Sequence, residues 1–234
     1  MSDEALIRFE QVTKVYRKGS IETQALRGLD LTIRAGELVA LWGPSGSGKT
    51  TALNLIGALD VPTSGRVSVE GRDLGALSRR DLSRLRRDRI GFVFQSYNLI
   101  PVLSAYENAE SVLALQGVPD AKRRERVMAL LEEVGLKGME ARRPHELSGG
   151  QQQRVAIARA IASNPAVVLA DEPTANVDSE TAERLLAIMA RLNQERGVTF
   201  VFSTHDPRVM KYARRLVGLV DGRVNTDVVK ASGA

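Results

Sequence analysis

Gly43-Pro44-Ser45-Gly46-Ser47-Gly48-Lys49-Thr50 fits the pattern G-x-x-x-x-G-K-[ST], and its flanks fit with it. Before it runs Leu38-Val39-Ala40-Leu41-Trp42, a continuous apolar segment of strand length. After it, residues 51–59 continue as a helix with an apolar stripe. Strand, glycine-rich loop and helix in this order make a phosphate cradle. The glycines let the loop fold tightly and aim backbone N–H groups at phosphate oxygens, and the helix N-terminus adds the positive end of its dipole. In such a loop, running here from Gly43 to Thr51, Lys49 reaches the β and γ phosphates and Thr50 offers its hydroxyl to Mg²⁺.

Outward from the loop the chain reads as α/β. Residues 6–16, 24–33 and 66–70 have the pattern of strands in a β-rich N-terminal layer, and residues 90–94 form another strand. From residue 106 to about 133 apolar residues recur at helical spacing, broken at Gly117-Val118-Pro119-Asp120, which marks a candidate inserted subdomain. Alternation then resumes, with strands at 166–170, 198–203 and 216–220 and helices at 180–195 and 207–213. That order implies a mainly parallel sheet covered by helices. The expected organisation is a single domain over residues 1–229, a helical insertion at about 96–163, and a frayed tail at 230–234.

Composition narrows the classes of partner. The 234 residues contain no cysteine, so no disulfide can form. No apolar run approaches the ~18 residues of a membrane span, and Met1-Ser2-Asp3-Glu4-Ala5 is acidic where a secretory signal is basic. A cytosolic chain, soluble by itself, is the expectation. There are 33 basic and 28 acidic residues, a net charge of +5. The densest basic stretch, Arg79, Arg80, Arg84, Arg86, Arg87 and Arg89, is interleaved with Asp81 and Asp88 rather than with aromatics. It reads as a solvated helix face, and nucleic acid is not an expected partner.

Nucleotide chemistry also needs carboxylates for the metal and the water. Val167-Val168-Leu169-Ala170-Asp171-Glu172 places two acids at the C-terminal end of a buried strand, where open parallel sheets bind ligands. Asp171 suits the Mg²⁺ shell, and Glu172 is placed to act as general base on the attacking water. Gln95 follows the 90–94 strand and can bring an amide oxygen to metal or water; His205 follows the 198–203 strand and can bond the γ-phosphate. Leu147-Ser148-Gly149-Gly150-Gln151 is a second glycine-rich turn opening a helix.

Taken in order, the phosphate loop, Gln95, Leu147 to Gln151, the Asp171-Glu172 strand, Thr174 to Asp178 and His205 resemble the motifs of ATP-binding cassette (ABC) ATPases over nearly the whole chain. The resemblance implies the ABC ATPase fold: a P-loop NTPase with a mainly parallel sheet, an N-terminal antiparallel β layer and an inserted α-helical subdomain. It implies ATP and Mg²⁺ as cofactors, and a head-to-tail homodimer in which Ser148, Gly149, Gly150 and Gln151 face the γ-phosphate on the partner copy. It also implies that Tyr16 stacks on adenine and that Asp178 reports across the dimer.

Within that family the chain is most similar to the lipoprotein-release and macrolide-exporter branch. Leu59-Asp60-Val61-Pro62-Thr63-Ser64-Gly65 and the stretch from Phe94 to Asn108 carry the likeness. The resemblance implies an ATPase on the cytoplasmic face of a bacterial inner membrane, driving an integral-membrane permease. Tyr97, Leu99, Ile100 and Leu103 then suit a groove that grips a short permease helix. Departures occur at Ala175-Asn176-Val177-Asp178, at Gly138-Met139 and at Arg142. A regulatory cassette that signals through a membrane partner to cell-wall enzymes shares every ATP motif. A soluble cassette of DNA repair lacks support, because long coiled coils, zinc ligands and a tandem cassette are missing.

Overall fold

The computed structural model describes residues 5–19 and 21–230. Of the expected tail, residues 231–234 lie outside the described residues, while Lys230 is tied down: its N–H donates to the Arg214 carbonyl at 2.8 Å.

β1 (Ala5–Lys18) and β2 (Ile21–Arg34) pair antiparallel, with Ile7 against Ile33 and Phe9 against Leu31. β4 (Ser64–Val69) adds antiparallel to the other edge of β1, and β5 (Arg72–Asp73) completes a four-stranded sheet in the order β2-β1-β4-β5. This is the expected N-terminal antiparallel layer.

The second sheet takes the fully apolar runs. β3 (Leu38–Trp42), β6 (Ile90–Val93), β7 (Val167–Asp171), β8 (Thr199–Thr204) and β9 (Arg215–Val220) are parallel, and β10 (Arg223–Val229) adds antiparallel, in the order β10-β9-β3-β8-β7-β6. Strands buried on both faces lose polar alternation, and successive residues feed different cores. Leu38 and Ala40 pack into one cluster with the helices after residue 104, while Val39 and Leu41 pack into another with the N-terminal sheet. The polar sequence of β10 gave no strand signal. Arg215 secures it from beneath with paired bonds of 2.8 and 2.7 Å to Asp227, and donates to Glu37 and the Thr32 carbonyl.

α1 (Lys49–Ile56) lies against the N-terminal layer. The expected insertion is α3 (Ala105–Leu115), α4 (Asp120–Glu133) and α5 (Gly149–Ala162), packed on one another. Ser104 and Glu107 form a reciprocal cap on α3, and buried Asn108 bonds the carbonyls of Ile100, Leu103 and Ser104, which fixes the loop before it. α6 (Ser179–Arg196) and α7 (Pro207–Tyr212) cover the β8 side.

The arginine-rich segment is α2 (Arg79–Arg89), and only part of it is the solvated face the sequence suggests. Arg86 donates to the Ala58 carbonyl at 2.6 Å, Arg87 chelates Asp88, and Arg89 pairs with Glu70 on the N-terminal layer. Long stems let these guanidinium groups reach structural acceptors from a helix surface.

Candidate functional site

The C-terminal ends of β3, β7 and β8 converge on one cleft of about 630 Å³. Its wall is the loop from Gly43 to Thr51, faced by Gln95, Glu172 and His205; Asp171, the fourth residue the sequence expects there, does not line it. Thr23, Gln24 and Ala25 of β2 complete the wall, a contribution that exposed polar residues on an edge strand did not signal.

The loop is wedged between distant parts of the chain. A Cβ on Gly43 would stand 2.2 Å from the Leu219 carbonyl oxygen, and one on Gly48 would stand 2.7 Å from that of Ala25. Both glycines have positive φ, 147° and 101°, so any side chain there is excluded twice over. The Gly222 N–H donates to the Ser47 carbonyl at 3.1 Å and the Arg27 N–H to the Gly222 carbonyl at 2.9 Å. Ser47 Oγ is buried without a protein hydrogen-bond partner. Lys49 Nζ donates to the carbonyls of Gly43 and Pro44 at 2.8 and 2.9 Å, spanning the loop from inside. Trp42, at the end of β3, is half-buried and packs over Gly218.

Around the carboxylates the geometry is close. Thr50 Oγ1 stands 3.4 Å from Asp171 Oδ1. Glu172 holds a left-handed φ of 43°, uncommon away from glycine, and its N–H donates to the Ser203 carbonyl at 2.9 Å. Its side chain is gripped from β8: Thr204 Oγ1 donates to Oε2 at 3.1 Å, and His205 Nδ1 lies 2.6 Å from Oε1. A carboxylate can only accept, so Nδ1 is the donor of that pair. Tyr16 is not part of the cleft wall proper; its hydroxyl donates to Asp60 at 2.9 Å and hydrogen-bonds Thr51 at the loop's end.

The second glycine-rich turn lies elsewhere. None of Ser148, Gly149, Gly150 and Gln151 lines the cleft. Ser148 caps α5 in a reciprocal box with Gln151. The two glycines are needed for packing inside the chain, because a Cβ on Gly149 would meet Tyr97 Oη at 2.7 Å and one on Gly150 would meet Thr181 Cγ2 at 2.2 Å. Asp178 is the N-cap of α6, accepting from the Thr181 N–H and hydroxyl at 2.9 and 2.7 Å. Those bonds hold its carboxyl below the usual range.

Two loops and α5 are laced together. Tyr97 donates to the Asn176 carbonyl at 3.1 Å and Asn176 Nδ2 to the Gln95 carbonyl at 2.9 Å. Gln153, fully buried on α5, donates to the Pro173 carbonyl at 2.7 Å and the Phe94 carbonyl at 3.4 Å. Sequence reasoning passed over Gln153, although its signal was present: an amide at a helical position whose neighbours one turn on, Ala156 and Ile157, are core. Of the four expected groove residues, Ile100 is exposed and Tyr97 and Leu103 are partly so, whereas Leu99 packs against the core. Beside them an apolar groove of about 340 Å³ runs between Leu59, Phe92, Val112 and Leu115.

Comparison with known proteins agrees with this geometry. The profile of the ABC transporter family matches residues 26–175, more than half of the chain. The chain is 48% identical, over 95% of its length, to the macrolide export ATP-binding/permease protein MacB of Syntrophobacter fumaroxidans, and spans 31% of that longer protein. It is 45% identical to the uncharacterized ABC transporter ATP-binding protein MJ0796 of Methanocaldococcus jannaschii, over 95% of this chain and 96% of that one. The dimeric post-hydrolysis structure of the MJ0796 cassette bound to ADP and Pi superposes with a TM-score of 0.89 at 42% identity, covering 97% of this chain and all of that one. Fold, motif geometry and relatedness along nearly the full length lead to one conclusion: the chain belongs to the ABC transporter family, as an ATP-binding and ATP-hydrolysing cassette.

Proposed function

We propose that two copies of this cassette close head to tail on two Mg-ATP and drive an integral-membrane permease of the lipoprotein-release or macrolide-exporter type. The observation that carries this reading is the separation of the Ser148 to Gln151 turn from the cleft of its own chain. A γ-phosphate held by Lys49 therefore lacks a cover that only a second copy can supply. The MJ0796 cassette, so similar in fold, is itself dimeric with ADP and Pi.

In the closed site Lys49 exchanges the Gly43 and Pro44 carbonyls for phosphate oxygens. Glu172 accepts the proton of the attacking water, with Thr204 and His205 fixing its carboxylate. Thr50, Asp171 and Gln95 offer a hydroxyl, a carboxylate and an amide oxygen, the hard donors that suit Mg²⁺ when phosphates and water fill the remaining positions. Bound there, Mg²⁺ neutralises charge on the β and γ phosphates. Ser148 and the start of α5 donate to the partner's γ-phosphate.

Motion leaves the site through the laced loops. Tyr97 and Asn176 join the turn after β6 to the turn before α6, so closing at the nucleotide moves the apolar groove lined by Phe94, Asn98 and Leu115. That groove receives a short helix of the permease. Among the described residues no helix is long and apolar enough to cross a membrane. In this reading the permease holds the cassette on the cytoplasmic face and selects the cargo, lipoprotein or macrolide- and peptide-like.

The test is capture of Glu172→Gln from its native membrane with Mg-ATP, followed by mass spectrometry. Recovery of a permease with a large extracytoplasmic domain supports the reading. Recovery of cell-wall regulators alone, or of no membrane protein, removes the transporter and keeps the ATPase.

A further inference from the structure

The stretch from Leu59 to Gly65 marks the branch in the sequence, yet it supplies no residue to the nucleotide cleft. In the structure it is bonded to β1 around Tyr16. The Thr63 N–H donates to the Thr13 carbonyl at 2.8 Å, the Thr63 hydroxyl accepts from the Val15 N–H at 2.9 Å, and the hydroxyls of Ser64 and Thr13 lie 2.6 Å apart. Gly65 permits the approach, since a Cβ there would stand 2.4 Å from the Gln11 carbonyl oxygen.

Asp60 divides its carboxylate between two residues of β1. Oδ1 accepts from Lys14 Nζ at 2.6 Å and from the Val61 N–H at 2.8 Å; Oδ2 accepts from the Tyr16 hydroxyl at 2.9 Å. Lys14 also donates to the Val61 carbonyl at 2.8 Å, and its ammonium lies 4.9 Å from the centroid of the Tyr16 ring. Lys14 is 9% exposed and Tyr16 is 40% exposed, so a buried cation underlies an open ring. Burial opposes ionisation of Asp60, but the bonds from Lys14, Val61 and Tyr16 prevail and hold its carboxyl below the ordinary value. The clamp therefore keeps its charge at neutral pH.

We propose that Asp60 and Lys14 are positioning residues for the nucleotide base, holding the Tyr16 ring by its hydroxyl and one face so that the other face stacks on adenine. This rests on the reading of Tyr16 as the base-stacking residue. A tyrosine free about both side-chain torsions must be ordered when the base arrives, at a cost set by the rotamers lost. Here the ring is ordered beforehand, beside Thr51 at the end of the phosphate loop.

The experiment compares the affinity of the full chain for ATP with that for inorganic tripolyphosphate, which engages the phosphate loop without a base. Asp60→Asn and Lys14→Met are expected to weaken ATP binding roughly three- to tenfold, as loss of one pre-ordered side chain implies. They raise KM, hold kcat, and leave tripolyphosphate unchanged. Tyr16→Phe, which keeps the ring and every packing contact but frees it from Asp60, is expected to show the same selective loss. Tyr16→Ala binding ATP like the wild type overturns the stacking reading itself. Loss with Tyr16→Ala but wild-type affinity in Asp60→Asn, Lys14→Met and Tyr16→Phe overturns the positioning role alone. Equal losses for ATP and tripolyphosphate also overturn it, since they assign the clamp to charge or general integrity.

Discussion

His205 Nδ1 lies 2.6 Å from Glu172 Oε1, so the residues that directly follow two neighbouring parallel strands hold each other across the mouth of the cleft. Glu172→Gln keeps the shape of this contact and removes the basic oxygen. Phosphate release at saturating Mg-ATP should fall by roughly two to four orders of magnitude, the usual worth of a general base. The same variant should elute as a dimer in gel filtration with ATP. Full turnover from a monomeric Glu172→Gln would assign the base elsewhere. His205→Ala should lose turnover as well while keeping ATP affinity.

Gly150 and Thr181 make a second pair whose test is compensatory. Gly150→Ala drives a Cβ to 2.2 Å from Thr181 Cγ2, a branched side chain with no room to turn because its hydroxyl is committed to Asp178. Overpacking of this kind costs about 1–3 kcal/mol in denaturant unfolding. Thr181→Ser removes the offending methyl and keeps the hydroxyl. The double variant should regain wild-type stability or slightly exceed it, since alanine favours helix over glycine by about 1 kcal/mol.

How much of this was readable beforehand differs by kind of information. The phosphate loop, Asp171, Glu172, Gln95 and His205 were legible because strand ends and glycine turns leave local patterns, and local patterns fix where parallel strands end. Gln153, Thr204, Asp60 and Lys14 were not assigned roles, because each acts through partners 20 or more residues away, such as Pro173, Glu172 and Tyr16. β10 was missed for a different reason. Its residues are largely exposed, and its hold on the sheet comes from the backbone ladder to β9 and from Arg215 rather than from an apolar alternation of its own.

Gln153→Leu preserves volume and deletes two donors. The carbonyls of Phe94 and Pro173 then lose their buried partner, and an unmet buried acceptor costs about 1–3 kcal/mol. We expect lower stability by equilibrium unfolding. Turnover should fall by more than ATP affinity, because the substitution releases the turn carrying Glu172 and leaves the phosphate loop intact.

Glu70 gives a prediction in pH. Its bond to Arg89 is the main reason its carboxyl titrates below the ordinary value, with burial acting against the shift. A depressed folded-state pKa means that the unfolded chain takes up protons first as pH falls. The pair's stabilisation is complete above about pH 5 and is lost as the pH drops through the depressed value. Glu70→Gln should be less stable than wild type at pH 7, and the two melting curves should converge in acid.

The wedging of the phosphate loop between Ala25 and the turn at Gly222 imposes an order of assembly. A nascent chain that has delivered Lys49 has the loop's sequence without its clamp, because the carbonyl of Leu219 and the N–H of Gly222 leave the ribosome more than 150 residues later. ATP is thus expected to act on a finished cassette and not as a template for an unfinished one. A translation product stalled before residue 219 should fail to retain nucleotide, however well its first sheet has formed.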